Sequence, residues 1–201
     1  HLVDGWSSSY PETTGYIVPT LIEYGDYAQN EQAYAMAKKA ADWLLTIQKP
    51  SGGWQSGYVH QERPEVVFNS GQVIRGMLSA YKHFKSEQYL DSAIKACDWL
   101  ISVQHPDGYF DKSVYLDVAR VYDSYVVAPM LEVYQITQNE AYLKSAQLQI
   151  DWIINTQQLV NGWFKNCDNT IKHNERPILH TIAYTIDGIL DCALLLGRPD
   201  Y

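Results

Sequence analysis

The sequence predicts an all-α protein built as one repeat domain of about three and a half helix–loop–helix hairpins, some seven helices in all. Three observations predict it. The segments AADWLLTIQKPSGGW (40–54), KACDWLISVQHPDGYF (95–110) and LQIDWIINTQQLVNGWF (148–164) align with one another, and their Asp-Trp pairs lie 56 and then 53 residues apart. That period exceeds a tetratricopeptide or ankyrin repeat and suits a long hairpin with a generous loop. Apolar residues recur at helical spacing inside the aligned stretches, and strand signals are weak, with residues 115–118 the one short candidate.

Each repeat opens with a helix poor in charge, at residues 15–24, 72–81, 125–134 and 184–193. A polar turn follows, where Asn30-Glu31, Ser86-Glu87 or Asn139-Glu140 supplies an N-cap and an acidic first turn to the next helix. That second helix is amphipathic: Tyr89, Leu90, Ala93, Ile94, Cys97, Leu100 and Ile101 trace one apolar stripe in the middle copy. Lys38, Lys39, Asp91 and Lys95 mark the opposite, solvent-facing side. Pro50-Ser51-Gly52-Gly53, Pro106-Asp107-Gly108 and Asn161-Gly162 stop it. The first helix of each pair is expected inside and the second outside, in repeats spanning 10–57, 66–113, 120–167 and 178–201. The fourth inner helix lacks an outer partner, so the array reads as an open arc of a longer ring, completed by further chain segments or by a second copy.

Composition narrows the function classes. At 201 residues and 46% hydrophobic, the chain can bury a sizeable core. A net charge of −8 argues against a nucleic-acid groove, which needs a basic field. The 15 Lys and Arg residues are scattered, and no stretch approaches the roughly 20 apolar residues of a membrane span, so neither nucleic acid nor membrane is an expected partner. No signal-peptide pattern is visible. Cys97, Cys167 and Cys192 are an odd set without C-x-x-C spacing; Cys97 and Cys192 fall among apolar helix residues and read as packed thiols, which favours a cytoplasmic, reducing compartment, with one bridged pair as the alternative. The 16 Tyr and 6 Trp suit packing interfaces and sugar-stacking surfaces.

Each outer helix runs into a Trp-(Leu/Ile)-x-x-x-Gln-x-x-x-Gly-x-aromatic phrase: Trp43, Leu44, Gln48, Gly52 and Trp54, then Trp99, Leu100, Gln104, Gly108 and Phe110. The third copy is one residue longer after Trp152, and Gln158, Gly162 and Phe164 restore the spacing. These residues resemble the QW-type repeat of the squalene cyclase and prenyltransferase superfamily. The resemblance covers almost the whole chain and implies an α/α-toroid. It is less specific for activity, because such toroids also host glycoside hydrolases, polysaccharide lyases and sugar epimerases. The Asp-x-Asp-Asp run of the cyclases is missing, and Cys167-Asp168 with His173 or His180 lacks the spacing of the prenyltransferase zinc ligands. The phrase 10–20, together with residues 180–184, resembles toroid proteins of bacterial polysaccharide gene clusters, which implies a carbohydrate context.

In such a toroid the loops from an outer helix into the next inner helix line the cavity, and here they are polar. Two repeat each other, His60-Gln61-Glu62-Arg63-Pro64 and His173-Asn174-Glu175-Arg176-Pro177. Because scaffolding repeats and active sites usually do not, the catalytic candidates are the non-repeating Tyr10, Glu12, Asp123, His180 and Tyr184. Carboxylates and a histidine in one cavity supply general acid and base. Trp6, Trp54, Glu62, Arg63, Arg120, Tyr125, Trp163, Glu175 and Arg176 are candidates for substrate binding. The expectation is a carbohydrate-active hydrolase, lyase or epimerase domain that takes a sugar or other small molecule and needs no metal or organic cofactor. An isoprenoid cyclase-like protein and a non-catalytic helical binding domain are the alternatives.

Overall fold

The computed structural model describes residues 5–169 and 177–201. Among them the helices are α1 (Pro11–Ala28), α2 (Glu31–Thr46), α3 (Val67–Phe84), α4 (Glu87–Val103), α5 (Ser124–Thr137), α6 (Glu140–Trp152) and α7 (Leu179–Leu196). The described β-structure is limited to isolated bridges. Of the strand candidate 115–118, residues 115–117 form a 3₁₀ turn in which Leu116 and Asp117 take positive φ, outside the extended region of a strand.

The three hairpin turns share one solution. Gln29, Lys85 and Gln138 each end an inner helix in the left-handed region and return their N–H to the carbonyls of Gly25, Tyr81 and Tyr134. One residue later, Asn30 and Asn139 cap the outer helices with side-chain oxygens that accept from Gln32 and Ala33, and from Ala141.

The chain divides inside α4 into two compact units, one ending at Ala96 and the other starting at Cys97. In unit 1, α1 packs on both α2 and α3. The α1–α3 crossing is tight: a Cβ at Gly15 would stand 2.6 Å from the Gln72 carbonyl oxygen, and one at Gly76 would stand 2.8 Å from that of Gly15. Pro19 has no N–H to give the Gly15 carbonyl, so Gly76 meets an oxygen its own helix leaves open. In unit 2, α5 packs on α6 and α7. Gly188 of α7 lies where a Cβ would collide with the backbone of Ser124 and Tyr125, and the Ser124 hydroxyl donates to the Thr185 carbonyl at 3.1 Å.

The Gln–Gly–aromatic phrase has a physical role in each unit. In unit 1 the Gln48 amide donates to Gly52 O (2.7 Å) and Ser92 O (2.9 Å), while Ser92 Oγ donates back to Gln48 Oε1 at 2.9 Å. In unit 2 Gln104 does the same with Gly108 O (2.7 Å), Ser145 O (3.0 Å) and Ser145 Oγ (2.6 Å). The aspartate of each Asp-Trp pair accepts a tyrosine hydroxyl: Asp42 from Tyr89, Asp98 from Tyr142 and Asp151 from Tyr201. The extra residue of the third copy is absorbed by a π-helical turn over Ile153–Gln157, which returns Gln158 to register opposite Phe164.

Burial separates the inner helices. Most of α3 and α5 is buried, whereas α1 and α7 leave Ile17, Tyr24, Ile186, Leu190 and Leu194 exposed. Lys38, Lys39, Asp91 and Lys95 face solvent as expected. Trp99 is buried, whereas Trp43 and Trp152 are half-buried. Cys97, Cys167 and Cys192 are buried without forming a disulfide. By length and composition α7 passes as a membrane span, although five of its residues, including Thr181, Gly188 and Cys192, are buried in the unit.

Candidate active site

In unit 2 the chain reaches α5 through an extended Arg120 and a 3₁₀ turn, Val121–Asp123, that packs against α7. Val121 N–H donates to Asn166 O at 3.1 Å, which ties this turn to the loop following α6. Asp123 then occupies the N-cap position of α5 without capping it. Its side chain is 1% exposed, and Oδ2 accepts no hydrogen bond. Burial pushes the Asp123 carboxyl up to about 8, partly offset by the Arg120 guanidinium. Burial also pushes the Tyr122 hydroxyl and the Cys167 thiol up, the thiol being partly relieved by Thr185.

Helix α7 supplies an aromatic wall beside this junction. Tyr184 stacks on Tyr125 with centroids 5.0 Å apart, and His180 meets the Tyr184 ring edge-on at 5.6 Å. His180 lies exposed in the first turn of α7. Behind the wall, Asp168, Thr181 and Thr185 are buried. Unit 2 therefore gathers Arg120, Asp123, Tyr125, His180 and Tyr184 around the starts of α5 and α7.

The other candidates lie elsewhere. In unit 1 Tyr10 precedes α1 and Glu12 is in its first turn, where burial pushes the carboxyl above its usual range against a hydrogen bond from Tyr10. The Tyr10 ring meets Tyr58 edge-on at 5.9 Å, and Tyr58 stacks on His60. Trp6 is fully exposed, and Trp163 is 42% exposed in a turn of unit 2. One substrate-binding expectation is corrected. Trp54 is completely buried and donates its indole N–H to Leu44 O at 2.9 Å, so it has no face left for a sugar. Arg120 is as buried as Asp123, and its charge partly offsets the upward push on that carboxyl. Glu62 and Arg63 are exposed, and their loop is pinned instead by Gln61 Oε1 accepting from Tyr58 N–H (2.9 Å) and by the buried Gln55 amide donating to Tyr58 O (2.9 Å). Glu175, Arg176 and His173 lie outside the described residues.

The family model described as Glycosyl Hydrolase Family 88 matches residues 27–176, well over half of the chain. This chain belongs to glycosyl hydrolase family 88. Its fold is that of an α/α-toroid, as likeness to solved structures shows. A family 88 glycosyl hydrolase from Bacteroides vulgatus superposes with a TM-score of 0.74 at 11% identity, over 94% of this chain and 62% of that one. The GH76 α-mannanase of Bacteroides thetaiotaomicron gives 0.70 at 17% identity, over 98% of this chain and 55% of that one. The Lin0763 protein from Listeria innocua gives 0.70 at 14% identity, over 94% and 56%. The chain thus spans a little over half the length of these structures. No curated protein matches it by sequence. The expected kinship with squalene cyclases and prenyltransferases finds no support, and the glutamine–glycine staple that suggested it is a packing device of the hairpins.

For this family 88 chain, the sequence missed several buried polar residues of unit 2. Asp168 and Cys167 stood out only as a failed zinc pair, yet both are buried beside the site, with Cys167 Sγ 3.5 Å from Thr185 Oγ1. Thr181 and Thr185 are one helical turn apart on α7, a spacing too common to flag. Tyr58 was overlooked because its loop carries no helical period.

Proposed function

We propose that the chain is the part of a glycoside hydrolase that carries the proton donor, and that Asp123 is that donor. The carboxyl Oδ2 is buried and unpaired at the junction that also holds the Tyr125–Tyr184 wall, and this observation carries the reading. A carboxyl held up to about 8 keeps its proton at neutral pH, which suits it to protonate a leaving glycosidic oxygen. In hydrolysis the bond between the anomeric carbon and that oxygen breaks and Asp123 gives up its proton. Water then adds its oxygen to the anomeric carbon, and the proton the water loses balances the one donated. Tyr184, Tyr125 and His180 offer a sugar platform. A polysaccharide lyase or an epimerase would begin by removing a carbon-bound proton, for which a protonated Asp123 is poorly suited.

At 1% exposure, Asp123 meets a substrate only when the groups covering it move aside. The test is turnover of a panel of neutral and acidic oligosaccharides by the wild type and by Asp123→Asn. The variant is expected to lose on the order of 100-fold or more in kcat while keeping its helical circular dichroism. Wild-type kcat should fall as pH rises through about 8, where the donor loses its proton. Full activity of a folded Asp123→Asn protein would remove Asp123 from the chemistry.

A further inference from the structure

In unit 1 the loop between α2 and α3 is exposed at its tip, yet it is held from within. Val66 N–H donates to Trp54 O at 3.0 Å and Ser56 N–H to Pro64 O at 3.3 Å, which closes the base of the loop. Gln55, only 5% exposed, donates its amide to the Tyr58 carbonyl at 2.9 Å, while Gln61 Oε1 accepts from Tyr58 N–H at 2.9 Å. Tyr58 is thus fastened through both of its backbone groups. Gly57, at φ +68°, makes room for this arrangement, because a Cβ there would collide with Gln61 Oε1. Val59 N–H donates to Ser9 O at 3.0 Å and ties the tip to the segment that carries Tyr10.

What this framework displays is aromatic. Tyr58 stacks on His60 with centroids 5.9 Å apart and planes 12° from parallel, and the Tyr10 ring meets Tyr58 edge-on at 5.9 Å. Tyr58 is 39% exposed and His60 is exposed, so the stack adds little to the core. Bonds that fix an exposed tip order it in advance for a ligand, which lowers the entropy lost on binding. Tyr10 also bonds Glu12, a half-buried carboxyl in the first turn of α1. The loop itself carries Glu62, Glu65 and Arg63, a negative balance that disfavours an anionic ligand.

We infer that Tyr10, Tyr58 and His60 form a subsite of unit 1 for a neutral hexopyranosyl unit of a polysaccharide. The apolar C–H face of the sugar lies on the Tyr58–His60 rings, and Glu12, oriented by the Tyr10 hydroxyl, accepts from a sugar hydroxyl. A nucleic acid could stack on the same rings but would meet the negative balance of the loop without a basic field to offset it. The inference rests on the carbohydrate reading of this family 88 chain and is independent of Asp123, which belongs to unit 2.

The test titrates the protein with cellohexaose, mannohexaose and laminarihexaose, and with hexagalacturonate as the anionic comparison, and follows hydrogen exchange of residues 55–65. At least one neutral hexamer should slow that exchange saturably, with the same Kd in the wild type and in Asp123→Asn. Tyr58→Ser should weaken the Kd about tenfold, whereas Tyr58→Phe, which keeps the ring, should leave it within about twofold. Gln55→Ala keeps every ring but frees the loop, and should weaken the Kd by about threefold or more. Circular dichroism of each variant checks that the helices remain. The inference is overturned if no neutral hexamer protects 55–65, if a folded Tyr58→Ser protein binds as the wild type does, or if hexagalacturonate binds more tightly than the neutral sugars. Full turnover by Asp123→Asn with protection of 55–65 intact would sink the proton-donor reading and leave this subsite standing.

Discussion

The two units hold their hairpins with the same bonds but bury different things where an inner helix begins. In unit 1, Glu12 stays half-buried in the first turn of α1 with a tyrosine to bond it. In unit 2, Asp123 is sealed at the start of α5 with one carboxyl oxygen unpaired. The staples Gln48–Ser92 and Gln104–Ser145 recur almost atom for atom, so the repeat accounts for stability. The sealed carboxyl has no counterpart at the start of α1, where Glu12 is only half-buried. An element that costs stability and differs between the two units is where chemistry is best sought.

Stability against pH gives the largest expected difference between the units. Asp123 titrates near 3.8 when unfolded and about 8 when folded. Below the lower value both states carry the proton and nothing is lost. As pH rises between the two, the unfolded chain ionises while the folded one cannot, so stability declines and the full penalty is reached above about 8. Asp123→Asn should therefore stabilise the protein at neutral pH, on the order of a few kcal/mol, and flatten its urea-midpoint profile between pH 5 and 8, a window taken from the shift of Asp123. Glu12→Gln should act in the same direction but less, since Glu12 is less buried and bonded by Tyr10. Equal effects at the two positions would erase the contrast between the units.

The shared staple sets the next test. Gln48→Ala and Gln104→Ala each leave two backbone carbonyls and a serine hydroxyl short of a partner in a part-buried site. Each should cost about 2 kcal/mol in urea denaturation. The two costs should agree, because the bonds do. Gln158→Ala, at an exposed glutamine in the same register, should cost close to nothing.

Much of this was legible in the sequence, for reasons that particular residues show. Asn30 and Asn139 announced their helices because capping is local, and Gly52 and Gly108 announced the turns because only glycine fits there. The left-handed turns at Gln29, Lys85 and Gln138 were invisible, since these residue types do not mark that conformation. Trp54 was misjudged because a tryptophan after a turn looks alike whether it faces a sugar or the core, and only tertiary packing decides. Asp123 drew attention by failing to repeat. Its burial comes with contacts between α7 and the turn before α5 that no local pattern encodes.

The smallest expected effect separates two bonds that look equivalent. Tyr89 donates to Asp42 at 2.6 Å and Tyr142 donates to Asp98 at 2.8 Å, so removing either hydroxyl deletes one charge-assisted bond. Asp42, however, also holds Lys38 at 2.7 Å across one turn of α2. After Tyr89→Phe that carboxylate keeps a cationic partner. Tyr89→Phe should therefore cost about 1 kcal/mol, and Tyr142→Phe a few tenths more. Salt provides the check: screening weakens the exposed Lys38–Asp42 pair, so the gap between the two variants should narrow in denaturation series run at about 1 M NaCl. A gap that widens with salt would mean that Lys38 does not compensate for the lost hydroxyl.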